Sequence, residues 1–354
     1  MAYRIGVRTS RILLALALLC NAVGAHAENE SKNGADITPA SYELGNGLKL
    51  GDSGFTLGGY SSAQFSDLQD TPSNLALSHA SLFIWWENQS GLKFFSELDS
   101  EYTLATHYPS NDNDDRALSL ERIYFDYSNS DALTWRVGKF LTPIGRWNLI
   151  HADPLVWTTS RPLITQNIFP ENISGAMAYG SFQVADKSIE YNLYGSAGSD
   201  IHPDPDQDVF HNVYGLHLTA AVSENTQLGL SYASFTQQNP TENHLQLFGL
   251  DLFWARHGYE LMSEFAFRQS SQGTDQDAYG GYLQGVMPLF GKLYGVLRLE
   301  TMHEVDPEHT VRHGVIGLTY RETRALSYKL EYLRSLHNDN SAPNGLMSSV
   351  SVLF

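Results

Sequence analysis

The sequence predicts a closed antiparallel β-barrel that crosses a membrane, and three observations carry that prediction. The chain opens on an export-type leader, continues as a long series of runs with alternating apolar and polar residues, and closes on an alternating run that ends in an aromatic residue. In this last run Leu346, Val350, Val352 and Phe354 share one face while serines dominate much of the other. Alternation with period two gives a strand one apolar side for lipid and one polar side for water, and only a closed sheet leaves no unpaired edge in a bilayer.

The leader comes first. Arg4, Arg8 and Arg11 make a basic start, Ile12 to Leu19 form an apolar core too short to span a bilayer, and Ala25-His26-Ala27 places small residues around a cut after Ala27. Residues 1–27 are therefore expected to be a cleaved signal peptide, and residues 28–54, polar and without period, a mobile periplasmic leader. Cys20 is the single cysteine and would leave with the signal, so neither a disulfide framework nor thiolate chemistry is expected. Mean hydropathy is −0.26, a value that a membrane barrel shares with soluble proteins because every second side chain of its strands avoids lipid. The formal charge of −17, about −20 without the three leader arginines, argues against nucleic acid as a partner. It suits acidic loops at a cell surface, where divalent ions bridge carboxylates to outer-membrane lipid and lipopolysaccharide.

From residue 55 to residue 354 the runs are about 9–13 residues long, the length of a tilted membrane strand. Roughly 16 of them are expected, starting near Phe55, Ala76, Leu92, Ala117, Ala132, Gly175, Ser188, Val213, Thr226, Leu245, Gly258, Asp277, Leu293, His309, Ala325 and Gly345. Their connections alternate between tight ones, such as Asn88 to Gly91 and His257-Gly258, and long ones, such as Ala105 to Arg116, Leu141 to Ser174 and His303 to Glu308. Short inner turns and long outer loops are the rhythm of an even barrel with both ends in the periplasm.

Ionisable residues on the face away from lipid separate this pattern from a soluble sandwich, which would have to bury them. Leu92, Phe94, Leu98 and Tyr102 oppose Lys93, Glu97, Asp99 and Glu101. Leu133, Trp135 and Val137 oppose Thr134 and Arg136; Tyr259, Leu261, Phe265 and Phe267 oppose Glu260, Glu264 and Arg268. Leu326, Tyr328, Leu330 and Tyr332 oppose Ser327, Lys329 and Glu331. Two runs, Ala76 to Trp86 and Leu245 to Arg256, are apolar on both faces, which fits either packing against material inside the barrel or a register slipped by one residue.

The segment Leu141 to Ser174 stands apart as the longest connection and as one rich in Trp, Pro, Ile and Leu. A loop this long and apolar should not lie in water, so it is expected to fold into the barrel and narrow it; packing at the rim or against a neighbouring subunit is the alternative. The passage that leads into it, Arg136-Val137-Gly138-Lys139-Phe140-Leu141-Thr142-Pro143-Ile144-Gly145, resembles the corresponding passage of the phosphate-selective porin O/P family. Arg161-Pro162, Gly175 and the opening Phe55-Thr56-Leu57-Gly58-Gly59-Tyr60 fit as well. The resemblance covers most of the barrel region in layout and is specific around Val137 to Gly175. It implies an outer-membrane porin of 16 strands, often a homotrimer, with its third outer loop folded in as the constriction. Passive diffusion of small hydrophilic solutes or ions would be its work, anions such as phosphate among them.

The chain departs from the anion-selective pattern, with 22 Lys+Arg against 39 Asp+Glu and no basic ladder that maps onto the strands. Candidate pore-lining residues on the strands are Lys93, Arg122, Arg136, Arg268, Arg298 and Lys329, sharing faces with Glu97, Asp99 and Glu264. In the inserted loop they are Arg146, Asp153 and Arg161. Arg146 and Arg161 have a structural alternative, packing on Trp147 or Trp157 or pairing with Asp153 or Glu171. The acidic clusters at 111–115, 204–208 and 275–277 read as solvated loops rather than calcium sites, and the thirteen histidines are scattered, so no metal or cofactor is expected. Ser78-His79 and Ser335 to Asp339 lack the setting of a nucleophile, so no catalytic activity is expected. The competing readings are a plugged structural or adhesion barrel that acts through its loops, and an outer-membrane hydrolase.

Overall fold

The computed structural model describes residues 39–107, 118–198, 200–202, 209–237, 244–271, 277–305, 308–336 and 343–354. The expected signal peptide, the start of the leader, the acidic clusters at 111–115 and 204–208, Asp275 and the end of the Ser335 to Asp339 stretch lie outside these residues.

A small hairpin, β1 (Ser41–Glu43) and β2 (Gly47–Lys49), precedes the wall. The wall strands are β3 (Phe55–Leu68), β4 (Asn74–Glu87), β5 (Leu92–Asp99), β6 (Glu101–Ala105), β7 (Ser119–Ser130), β8 (Leu133–Leu141), β9 (Asn172–Val184), β10 (Lys187–Ala197) and β11 (Phe210–Ser223). They continue as β12 (Thr226–Gln237), β13 (His244–Arg256), β14 (Tyr259–Ser270), β15 (Ala278–Phe290), β16 (Leu293–Val305), β17 (Glu308–Arg321), β18 (Leu326–Ser335) and β19 (Gly345–Leu353). β5 and β6 both pair with β4 and act as one wall strand, so the wall has 16 strands, each antiparallel to its sequence neighbour. β19 pairs with β3 from Gly345↔Leu68 to Leu353↔Tyr60, which closes the barrel. Phe354 extends the closure by donating to Gly59 O at 2.8 Å and accepting from Gly59 N at 2.9 Å.

Alternation sets the two faces as expected. Trp135, Val137, Phe265, Ile316, Tyr328, Leu330 and Tyr332 are exposed on the outer wall, while Thr134, Glu264, Ser327, Lys329 and Glu331 are buried inside. An exposed apolar belt on a closed sheet is the surface of a barrel seated in a bilayer.

Three features differ from the sequence expectation. The period-less stretch before residue 55 contains the β1–β2 hairpin, and β2 pairs with β3 through Leu48↔Leu57 and Lys49↔Thr56. The run Leu92 to Thr103 is broken at Ser100, with a register shift after Glu97 and Tyr102 at φ 47°. The outer connection expected at His303 to Glu308 is short, because the β16–β17 ladder continues to Val305↔Glu308.

Candidate functional site: the inserted segment and the wall it leaves open

The segment between β8 and β9 enters the barrel. Its neck is tied where Thr142 N donates to Glu171 O at 2.8 Å, and Asn148 Nδ2 bridges Thr142 O and Glu171 O at 2.9 and 3.0 Å. Two single-turn helices, α1 (Trp147–Ile150) and α2 (Ile164–Asn167), carry its apolar groups. Ile144, Trp147, Val156, Ile164, Ile168 and Phe169 are buried in one cluster with Leu245, Leu247, Met262, Ala266 and Met302 of the wall. This contact explains why β13 is apolar on both faces: its inner face meets the inserted segment, and no register has slipped.

A non-helical segment inside a barrel needs partners for its backbone. Wall carboxylates accept from its N–H groups: Glu264 from Arg146 and Trp147 at 3.2 and 2.7 Å, Glu331 from Thr159 and Ser160 at 2.9 and 2.7 Å, and Glu300 from Leu163 at 2.9 Å. Wall cations donate to its carbonyls: Arg268 to Ile168 at 3.0 Å, Lys329 to Asp153 at 2.5 Å and Thr158 at 3.1 Å, and Arg298 to Ser160 at 2.9 Å. Gly145 turns at φ +64°, and a Cβ there would overlap the Glu264 carboxylate, so glycine is what lets the segment approach this acid. Of the sequence candidates, Glu264, Arg268, Arg298 and Lys329 thus sit against the inserted segment; Arg298 is 0% exposed.

The inner charges that keep contact with water lie along β4 to β8 and on the part of the inserted segment that faces those strands, where Asp153 and Arg161 sit. Glu101 is 55% exposed, His79 28%, Arg161 22%, Asp153 20%, and Arg122 and Arg136 19% each. Each arginine is stacked and paired. Arg122 lies 4.7 Å from the Phe95 ring centre and pairs with Glu97; Arg136 lies 3.7 Å from Tyr124 and holds Asp126 by two bonds of 2.7 Å. Arg161 lies 4.8 Å from Trp147 and pairs with Glu171. Planar guanidinium groups suit such combined stacking and pairing.

The remaining candidates are placed as follows. Asp153 faces His79 Nδ1 at 3.0 Å; burial alone would raise its carboxyl, but the His79 hydrogen bond and charge hold it well below the usual range. Asp99 accepts from Ser81. Arg146 donates to Gln227 at 2.6 Å and lies over Phe253 at 4.0 Å. Lys93 pairs with Glu87 at 3.0 Å beside an inner turn, away from the inserted segment.

Sequence reading missed the row of inward aromatics Tyr60, Phe83, Phe95 and Tyr124, whose consecutive ring centres are 5.8, 5.7 and 5.3 Å apart. Its signal was the two-faced apolar run in β4, with Phe83 on the inner face.

Comparison with known proteins places this architecture. Salmonella typhi OmpF in complex with daunomycin superposes with a TM-score of 0.62 at 9% identity, covering 89% of this chain and 99% of that one. Its fold is that of the outer-membrane porins. The anion-selective porin from Comamonas acidovorans matches with a TM-score of 0.60 at 11% identity over 84% of this chain and 98% of its own. The outer-membrane channel DcaP of Acinetobacter baumannii matches with 0.55 at 10% over 87% and 100%. No family model matches the chain, so the resemblance to phosphate-selective porins stands only at the coarser level of porin architecture. In sequence, an uncharacterized protein of Aquifex aeolicus (strain VF5) is 29% identical over 145 residues, 40% of this chain and 31% of that protein, so the match spans about a third of that protein's length.

Proposed function

We propose that the protein is an outer-membrane porin, exported by a signal peptide cleaved after Ala27, that passes small hydrophilic solutes and ions by passive diffusion. The observation that carries this reading is the asymmetry of the inner wall. The inserted segment packs closely on the wall from β13 to β18, while along β4 to β8, which it touches at His79 and Glu121, the charges from Glu101 and His79 to Arg136 keep contact with water. A plugged structural barrel has no need for partly hydrated charges inside its lumen. No catalytic step enters this reading: Ser78 Oγ donates to Ser62 O at 3.1 Å, while His79 Nδ1 engages Asp153.

For selectivity, the charges along the passage nearly cancel. Arg122, Arg136 and Arg161 each face a carboxylate, and Glu101 is the most exposed of the set. Compensated arginines give a transverse field and a modest preference for cations. A second reading, transport of anions such as phosphate, is favoured by the three stacked guanidinium groups and by the anion-selective porin among the structural relatives. The deciding experiment is the reversal potential of the purified protein in a planar bilayer under a salt gradient. A cation-preferring potential supports the first reading, an anion-preferring one the second. The absence of conductance from folded protein would overturn the channel.

A further inference from the structure

We propose that Glu121, His151 and Glu171 form a binding site for a borderline divalent transition-metal ion of the Zn2+ class. The three come from different places: Glu121 from β7, His151 from just after α1, and Glu171 from the neck of the inserted segment. One ligating atom from each lies within 4.8 Å of the others.

The imidazole is prepared for a metal. His151 Nδ1 donates to Asn148 O at 2.9 Å, which fixes the proton on that nitrogen and leaves Nε2 to supply a lone pair. Nε2 faces a Glu121 carboxylate oxygen at 4.0 Å. A cation placed between Nε2 and that carboxylate would be bound by both.

A second, independent feature points the same way. The Asn172 side chain is 8% exposed and lies at the cluster, where its Nδ2 donates to Glu121 at 3.1 Å, yet its buried Oδ1 has no hydrogen-bond partner among the described residues. An orphaned buried acceptor on the side chain that bonds Glu121 marks a donor set left incomplete at this cluster. Nitrogen with oxygen ligands selects borderline ions over calcium and magnesium, which prefer all-oxygen shells. The opposing charge is Arg161, which pairs with Glu171; Arg122 is paired with Glu97. All three ligand side chains keep some exposure, 12% for His151 and 15% for each glutamate, so an ion can reach the site from solvent. Because Glu121 belongs to the wall while His151 and Glu171 belong to the inserted segment, a bound ion would clamp one to the other.

The test is equilibrium titration of Zn2+ into the full barrel in detergent, with excess Mg2+ present to occupy surface acids. Folding of each variant is checked by its heat-sensitive gel mobility. Wild type should bind with micromolar affinity at one site, and His151→Gln and Glu121→Gln should each weaken it at least about tenfold. Arg161→Gln should tighten it by removing the competing cation, and His217→Gln, at a histidine paired with Asp251 elsewhere on the wall, should leave it unchanged. Zn2+ binding by folded His151→Gln equal to wild type, or none by folded wild type, would overturn the site. The reading is taken at equilibrium, so it stands or falls independently of whether the barrel conducts.

Discussion

At the scale of single residues, inner-face arginines that look alike in the strand pattern do different work. Arg298 reaches Thr158 Oγ1, Ser160 O and Ser160 Oγ at 2.7–2.9 Å and sits beside Glu300 at 3.3 Å, fully buried. Removing one partner of such a set leaves buried groups unsatisfied. Arg298→Ala should therefore destabilise the barrel by about 3–5 kcal/mol, measured by urea unfolding in detergent or vesicles. Arg161, partly hydrated on the passage, has a different consequence. Arg161→Gln leaves the buried Asn148 Oδ1 without its donor and should cost less than Arg298→Ala, about 1–3 kcal/mol, and should move the reversal potential toward cations. An unchanged potential would remove Arg161 from the conducting path. Sequence periodicity put Arg298 on the correct face, but the segment that covers it arrives from more than a hundred residues away, and a local pattern carries no trace of that contact.

At the scale of elements, the inserted segment has almost no regular structure of its own, and its position depends on the wall. Gly145 is the point of greatest dependence, since φ +64° and the adjoining Glu264 both exclude a side chain. Gly145→Ala should cost about 1–2 kcal/mol in docking from backbone strain alone, with more from displacing Glu264. Chymotrypsin cleavage near Trp157 should become faster while the barrel keeps its heat-sensitive mobility; a cleavage rate equal to wild type would contradict this account. Most elements were legible beforehand. Strand starts at Leu92, Thr226, Leu293 and Gly345 coincide with the structure, because lipid on one side and polar groups on the other impose a strict period of two. The β1–β2 hairpin was not legible, since three-residue strands are too short to show a period. The break at Ser100 was hidden because a bulge changes which face a residue occupies without changing the composition of the run. The inward direction of the inserted segment was readable from its apolar composition. Its partners were not, apart from the two-faced run in β13.

At the scale of the whole molecule, two solvents fix the architecture. The outer wall meets hydrocarbon, where an added charge has no partner. The inner wall meets water or the inserted segment, where charges are satisfied one by one. The cost of a misplaced charge should therefore depend on face and depth together. Ile316, outward and exposed near the middle of β17, is the sharpest place to test this. Ile316→Arg should cost about 2–4 kcal/mol in lipid vesicles. Leu336→Arg, just past the end of β18 and also exposed, should cost about 0–1 kcal/mol because its side chain reaches the interface. Urea unfolding in vesicles reads both. In detergent micelles, whose apolar layer adapts around a charge, the difference should shrink. Equal costs for the two substitutions in vesicles would mean that the exposed apolar belt does not face hydrocarbon, and the membrane reading of the barrel would have to be abandoned.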